Sequence, residues 1–142
     1  MIKFLITIIS CLFVNYASAN DNIINERIKN FKYAKKAMRE INQSLTNENY
    51  LNINDNILFL YNWFKVLPSH FPQGSEASIS NNSDASAEIW ENIDLFHKYS
   101  NNSKNITLGI LKSLDKNNKK NIKVKLDELS RSCSTCHKKF RN

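Results

Sequence analysis

Apolar side chains recur every three or four residues along most of the chain, which is the spacing typical of amphipathic helices. The first apolar stripe runs over Ile24–Leu45, includes Met38 and is about six turns long. A second stripe runs over Ile57–Leu67 and stops at Pro68. The polar residues 46–49 between the two stripes predict a short connection between antiparallel helices.

The second half of the chain shows two further helical stripes after one long loop. Residues 68–86 lack helical periodicity and contain both prolines and one of the two glycines. Ser86 suits the N-cap of a third helix, because a serine hydroxyl accepts a hydrogen bond from the free amides of the first turn. We expect this helix to run over Glu88–Leu114 without a break. Residues 117–118 predict a turn, and a fourth helix follows over Ile122–Phe140.

Glycine and proline are too rare for an all-β fold. The chain contains two of each in 142 residues, whereas sandwiches and barrels need many tight turns. Four amphipathic helices joined by short, long and short connections predict an all-α fold. We therefore expect an antiparallel up-down-up-down four-helix bundle, and the length suits one such domain.

The first 19 residues have the layout of a secretory signal peptide. One positive charge and an apolar run precede Ala17–Ala19, an A-x-A cleavage site. Cleavage there leaves residues 20–142 as the mature domain, exported to the periplasm. The apolar run is shorter than the ~20 residues that span a bilayer, so we expect no membrane span in the mature form. Ile8–Cys11 loosely resembles a lipoprotein cleavage box, which leaves lipidation of Cys11 as the alternative.

The chain is basic, and this limits the classes of partner. Its formal net charge of +7 falls to +6 without the leader, whose only charged residue is Lys3. A basic excess fits nucleic acid, anionic lipid or an acidic protein. No block of Arg and Lys with interleaved aromatics appears, and export argues against nucleic acid. No Ser/His/Asp set, carboxylate pair or glycine-rich phosphate loop appears either, so no enzyme activity is expected.

The candidate chemistry lies near the C-terminus, where Cys133-Ser-Thr-Cys136 is followed at once by His137. Two thiols at this spacing fit a redox dithiol, half of a zinc site or a covalent haem anchor. A redox dithiol belongs at a helix N-terminus, whereas this motif ends a helix. A closed zinc site needs four ligands, and only His70 and His97 remain as other strong candidates.

Haem attachment needs no further residues. C-x-x-C-H is the signature of c-type haem, in which each thiol forms a thioether with the haem and the adjacent histidine binds the iron. The motif thus favours one covalently bound haem c, anchored by Cys133 and Cys136 and held in the bundle near the C-terminal helix. His137 is the predicted proximal iron ligand.

A signal peptide, four helices and C-x-x-C-H at the far C-terminus resemble the class II cytochromes c, a family that includes the cytochromes c-prime and low-spin, methionine-ligated cytochromes of the c-556 type. The similarity covers the whole mature chain. It is carried by four stretches, namely Tyr33–Met38, Trp63–Gly74, Glu88–Trp90 followed by Phe96, and Cys133–Arg141.

The resemblance implies a function and a ligand set. It places Met38 on the distal side as the sixth iron ligand and Arg141 near His137. A thioether on iron raises the reduction potential and closes the site to other ligands. We therefore expect a low-spin one-electron carrier, either monomer or homodimer, that serves a redox protein partner. The basic charge of the chain favours an acidic partner. The alternative is a five-coordinate haem that binds nitric oxide or carbon monoxide, and a third possibility is a haem-free helical interaction module.

Overall fold

The computed structural model describes residues 2–47 and 53–142, with side chains described from residue 20 onward. Five α-helices and one 3-10 turn lie within these ranges. No described helix combines the length and the apolarity needed to cross a bilayer. The elements are α1 (Ile2–Thr46), α2 (Ile53–Val66), the 3-10 turn (Leu67–His70), α3 (Glu88–Glu91), α4 (Ile93–Asp115) and α5 (Lys119–Phe140).

The four long helices pack in the order expected of an antiparallel bundle. Helix α4 packs against both α2 and α5, and α1 packs on α2. Each long helix sends at least one completely buried apolar residue into a shared core, for example Ile41 from α1, Leu60 from α2, Ile110 from α4 and Leu129 from α5. The apolar stripes of the sequence therefore converge, and the predicted four-helix bundle is confirmed.

A polar stripe on α4 is buried without interrupting the helix. Ser100 and Ser103 are almost fully covered, as is Thr107. The Ser100 hydroxyl donates to the carbonyl of Phe64 at 2.7 Å, and the Ser103 hydroxyl bonds that of Ser132 at 2.9 Å. Small hydroxyl residues let neighbouring helices approach closely while their polar atoms stay paired. The helix predicted to continue through this stretch does so.

The predicted third helix is wrong in one respect, because it is broken at Asn92. This residue leaves the helical region at φ −128° and ψ 45°, and so separates α3 from α4. Its side-chain amide donates to the carbonyl of Glu88 at 3.2 Å. Asparagine competes in this way for backbone partners and ends helices. Upstream, the N-cap position is Ala87 rather than the predicted Ser86, although the Ser86 hydroxyl still accepts from the amide of Glu88 at 3.3 Å.

Two other boundaries refine the sequence prediction. Helix α2 begins at Ile53 rather than Ile57, and the connection predicted over 46–49 lies partly outside the described residues. Helix α2 ends at Val66, just before Pro68 as predicted. The chain continues into the 3-10 turn, and Pro68 lies in its first turn, where a missing amide hydrogen is tolerated.

The turn predicted at Asn117 and Asn118 is confirmed. Asn117 has a φ of 49°, a left-handed conformation that asparagine tolerates better than most residues. The side chain of Asn118 then accepts from the amide of Asn121 at 3.1 Å and caps α5.

Two leucines on α2 provide a test of the core. We expect Leu60→Ala to lower the free energy of unfolding by about 2–5 kcal/mol, because it leaves a cavity between all four helices. Leu58, two residues earlier, is 44% exposed, and Leu58→Ala should change stability by about 0.5 kcal/mol or less. Urea unfolding followed by circular dichroism measures both. Equal losses for the two variants would contradict this packing.

Candidate haem site

The C-x-x-C-H motif occupies the last two turns of α5. Cys133 and Cys136 are free and half-buried, and both pack against the hydrophobic core. They share a helix face with the buried residues Leu129 and Phe140, since spacings of three and four residues return to the same side. His137 lies at the edge of this face and is exposed as a residue. The motif therefore presents two sheltered thiols beside one accessible imidazole.

The environment of the thiols does not suit redox chemistry. Burial raises the pKa of Cys133. Burial, with the neighbouring Cys133 as a second cause, raises the pKa of Cys136 to about 11. Both groups are thus protonated at neutral pH, whereas redox-active cysteines need a lowered pKa and an available thiolate. The dithiol interpretation is accordingly disfavoured.

His137 is held in the form that binds metals. Burial lowers its pKa, and the positive charge of Arg141 lowers it further. The neutral imidazole is therefore the dominant form at neutral pH, and one ring nitrogen keeps the lone pair that an iron ligand requires.

Phe31 is the α1 side chain that faces His137. The two ring centroids are 6.2 Å apart at an interplanar angle of 70°. Phe31 also packs edge-to-face on Trp63 at 5.3 Å and lies 6.5 Å from Phe71. An aromatic cluster from α1, α2 and the following loop thus stands opposite the imidazole.

Met38 lies seven residues beyond Phe31 on α1, which is about 10 Å along the helix axis. It is partly buried and packs against the core. The two residues share one apolar stripe, so the sequence pattern could not tell which turn of α1 is level with His137. For this reason the contact between Phe31 and His137 was not predicted from the sequence.

Arg27 is a buried cation beside the aromatic cluster, one turn before Phe31. It is 3% exposed, and its guanidinium lies 4.2 Å from the ring centroid of Phe71. It donates to the carbonyl of His70 at 3.1 Å, the Ser75 hydroxyl at 3.0 Å and carbonyl at 2.9 Å, and the Ser83 hydroxyl at 2.6 Å. Burial lowers its pKa to about 10, so it stays charged at neutral pH. None of these acceptors is a carboxylate, although buried charges are usually paired with an opposite one.

Trp63 contributes a buried polar group that has no hydrogen-bond partner among the described residues. This group is the indole nitrogen, and a buried unpaired donor is unfavourable. Haem c carries two propionate carboxylates, which match both this donor and the unneutralised charge of Arg27. Together with two thiols, a neutral imidazole and an aromatic wall, the residues present fit a haem c.

Arg141 and the end of α5 are fixed by contacts with the loop before α3. The Arg141 guanidinium donates to one carboxylate oxygen of Asp84 at 2.7 Å and 3.2 Å, and its amide donates to the carbonyl of His137 at 3.1 Å. Lys139 forms an ion pair with Glu88. Arg141 is thus near His137, with its side chain bound to Asp84.

The chain is similar to known proteins over most of its length. Residues 22–141 match the family model described as Cytochrome C′. A cytochrome c′ of Rhodospirillum rubrum is 32% identical over 77 residues, which cover 54% of this chain and 51% of that one. The chain therefore matches about half the length of that relative.

Solved structures of cytochromes c′ share the fold. One, a cytochrome c′ with an unusual ligand-controlled dimer dissociation, has a TM-score of 0.78 at 13% identity and covers 86% of this chain and 95% of its own. Another is a nitric oxide complex of a variant of cytochrome c prime from Alcaligenes xylosoxidans, with a TM-score of 0.75 at 15% identity and coverage of 87% and 95%.

These findings correct one expectation from the sequence. The interpretation as a low-spin His/Met electron carrier is wrong, because the matching family and the curated relative are of the cytochrome c′ type. The aromatic ring of Phe31, which carries no atom able to bind iron, lies with its centroid 6.2 Å from that of the His137 ring. The five-coordinate alternative agrees better with both observations.

The covalent anchor gives the next prediction. We expect acid-acetone extraction to leave haem on the wild-type protein and to remove it from the variant in which Cys133→Ser and Cys136→Ser are combined, because no thioether remains. Each single variant should keep one bond. Ser134→Ala, an exposed position between the cysteines, is the matched control and should retain haem like the wild type. Extraction of haem from the wild type would refute covalent attachment.

Proposed function

The chain belongs to the cytochrome c′ family, and from this membership we propose that it is a haem c protein that binds a diatomic gas, nitric oxide or carbon monoxide, without chemical turnover. The contact between Phe31 and His137 carries the proposal. It supports a site with a nitrogen ligand on one side and an apolar wall, rather than a second protein ligand, on the other.

Each residue of the site has a role in this proposal. Cys133 and Cys136 hold the haem by thioethers, and His137 binds the iron from the α5 side. When bound, haem c would supply the iron that binds the gas, with His137 as its protein ligand. Phe31 and Trp63 line the site with apolar surface, which favours a small neutral ligand over water or anions.

The solved relative in complex with nitric oxide supports this choice of ligand. The aromatic wall adds a size limit, because the ring of Phe31 is wedged between His137 and Trp63. A gas molecule bound to an iron held by His137 would compete with this ring for space. We therefore propose that Phe31 slows binding and restricts it to the smallest ligands.

A change at Phe31 tests the proposal. We expect Phe31→Ala to bind carbon monoxide faster than the wild type, on the order of tenfold, since the ring no longer has to move. Stopped-flow mixing of the reduced protein with carbon monoxide measures the rate, and Phe31→Leu, which keeps more of the packing, should lie between the two.

Met38→Leu is the matched control for this experiment. It preserves volume and apolarity on the same helix, so the absorption spectrum and the binding rate should stay at wild-type values. A change from a low-spin to a high-spin spectrum in Met38→Leu would overturn the five-coordinate assignment.

The surface of α1 supports a proposal for the partner. Lys29, Lys32 and Lys36 recur at helical spacing and are exposed, as are Lys35 and Arg39. Carbon monoxide binds reduced iron, so a donor must supply one electron and be oxidised in return. We propose that this donor is an acidic redox protein attracted by the basic surface. The ligand-controlled dimer of one solved relative supports a homodimer as the resting state.

We also propose export to the periplasm and removal of residues 1–19, because c-type haem is attached outside the cytoplasm. The side chain of Asn20 donates to the carbonyls of Gln73 and Gly74 at 3.4 Å and 3.2 Å. Cleavage before this residue thus leaves a chain whose first side chain is already tied to the loop over the aromatic cluster.

The mature N-terminus can be read directly. We expect N-terminal sequencing of holoprotein from a periplasmic fraction to begin at Asn20, with an intact mass equal to residues 20–142 plus one haem. A diacylglycerol-modified chain that begins at Cys11 would instead establish the lipoprotein alternative.

A further inference from the structure

We infer that residues 75–86, here called the clasp, fix the position of His137 relative to Phe31, and that Asp84 is the positioning residue through which the clasp acts on α5. This inference rests on the proposed function, in which His137 binds the haem iron. In this inference, residues that contact neither the haem nor the gas influence the bond between His137 and the iron.

The clasp is tied to α5 within one turn of His137. The amide of Ser86 donates to the carbonyl of Phe140 at 3.0 Å, and the amide of Asn142 donates to the carbonyl of Asp84 at 3.0 Å. Ala85 and Arg141 pair as an isolated antiparallel bridge. The Asp84 carboxylate accepts from two nitrogens of Arg141. The turn that carries His137 is therefore bounded by backbone pairing and by a charge-assisted hydrogen bond.

The other end of the clasp is tied to α1, one turn from Phe31. Arg27 donates to both oxygens of Ser75 and to the hydroxyl of Ser83. Both serines are buried, at 0% and 7% exposure. The two ends of the clasp are joined by its own bonds, from the amide of Ala77 to the carbonyl of Ala85 at 2.9 Å and from the amide of Ala85 to the Ser83 hydroxyl at 3.2 Å.

The packing of the bundle makes this connection important. Helix α1 packs chiefly on α2, and α5 chiefly on α4, so Phe31 and His137 approach each other from helices that rely on different neighbours. The clasp bonds to both. It is thus placed to set the separation of the two rings and to hold the last turn of α5, which otherwise frays like any helix end.

The Asp84–Arg141 ion pair is the weakest of the contacts that connect α1 to α5 through the clasp. Both side chains are more than half exposed, so the pair contributes little to global stability. Its loss should leave the bundle folded while it loosens the residues that follow His137. In the loosened state the imidazole leaves the iron more readily once a gas occupies the opposite side. Asp84 accordingly favours the gas complex in which His137 stays bound.

The test compares holoproteins that carry Asp84→Asn, Asp84→Glu or Glu128→Gln. Asp84→Asn removes the charge at nearly constant size, and Asp84→Glu restores it. Glu128→Gln breaks a partly exposed ion pair within α5, with Lys125 at 3.6 Å, and serves as the control. Thermal unfolding should give the same midpoint for all of them.

Three measurements then distinguish a positioning role of Asp84 from a purely structural one. Amide hydrogen exchange at Arg141 and Asn142 should be roughly fivefold to tenfold faster in Asp84→Asn than in the wild type or the control. Electron paramagnetic resonance of the reduced protein with nitric oxide should show a larger share of complex without His137 in Asp84→Asn only. Resonance Raman spectra of the gas-free reduced protein should show a shifted iron–histidine stretch in the same variant.

Each outcome decides the matter. Faster exchange with unchanged iron–histidine signals would make the clasp a structural support and overturn the inference, as would unchanged exchange or an equal effect of Glu128→Gln. Failure of the proposed function has a different signature. In that case the wild type binds neither nitric oxide nor carbon monoxide, whereas failure of the clasp leaves binding intact and the His137 signals alike in all variants.

Discussion

The last turn of an α-helix has free carbonyls and frays, yet this protein places both thiols and the imidazole of its motif in the last two turns of α5. The rest of the structure holds that end in place. Phe140 is buried against Phe96 and Tyr99 with ring centroids 5.4 Å and 5.8 Å away. Residues 84–86 pair with the backbone beyond it. The buried apolar side chain and the backbone pairing make a terminal turn as well defined as a central one.

The ionisable groups of the C-x-x-C-H motif are neutral at neutral pH, whereas the nearby Arg27 is charged. Apolar surroundings keep the thiols and the imidazole neutral, which is visible in the raised pKa of Cys136 and the lowered pKa of His137. Arg27 is the exception, a full positive charge inside the protein with neutral acceptors only. Burying such a charge is costly unless an anion joins it. A dicarboxylate cofactor bound beside Arg27 would thus stabilise the fold as well as the complex, and cofactor binding and folding would be linked.

Most of the fold, but only part of the candidate site, could be predicted from the sequence. Helical periodicity located the four long helices, because a stripe of many turns is a strong signal, and the asparagine pair before α5 marked its turn. The break at Asn92 is a local competition for the Glu88 carbonyl that periodicity does not record. The C-x-x-C-H spacing identified the anchor, but Phe31 and Met38 occupy one stripe and only the three-dimensional register separates them. The roles of Asp84 and Arg27 could not be predicted from the sequence for another reason. The partner of Asp84 lies 57 residues away in the chain, and those of Arg27 lie 43–56 residues away.

Those long sequence separations also bear on the order of folding. Helices α1 and α2, like α4 and α5, are neighbours along the chain and close short loops, which is entropically inexpensive and fast. The contact between Asp84 and Arg141 closes a loop of 57 residues and gains little until the helices beneath it are in place. It therefore belongs to the final stage of folding. We expect the core to form while the end of α5 is still unpaired, which would leave the two thiols accessible for attachment of the cofactor.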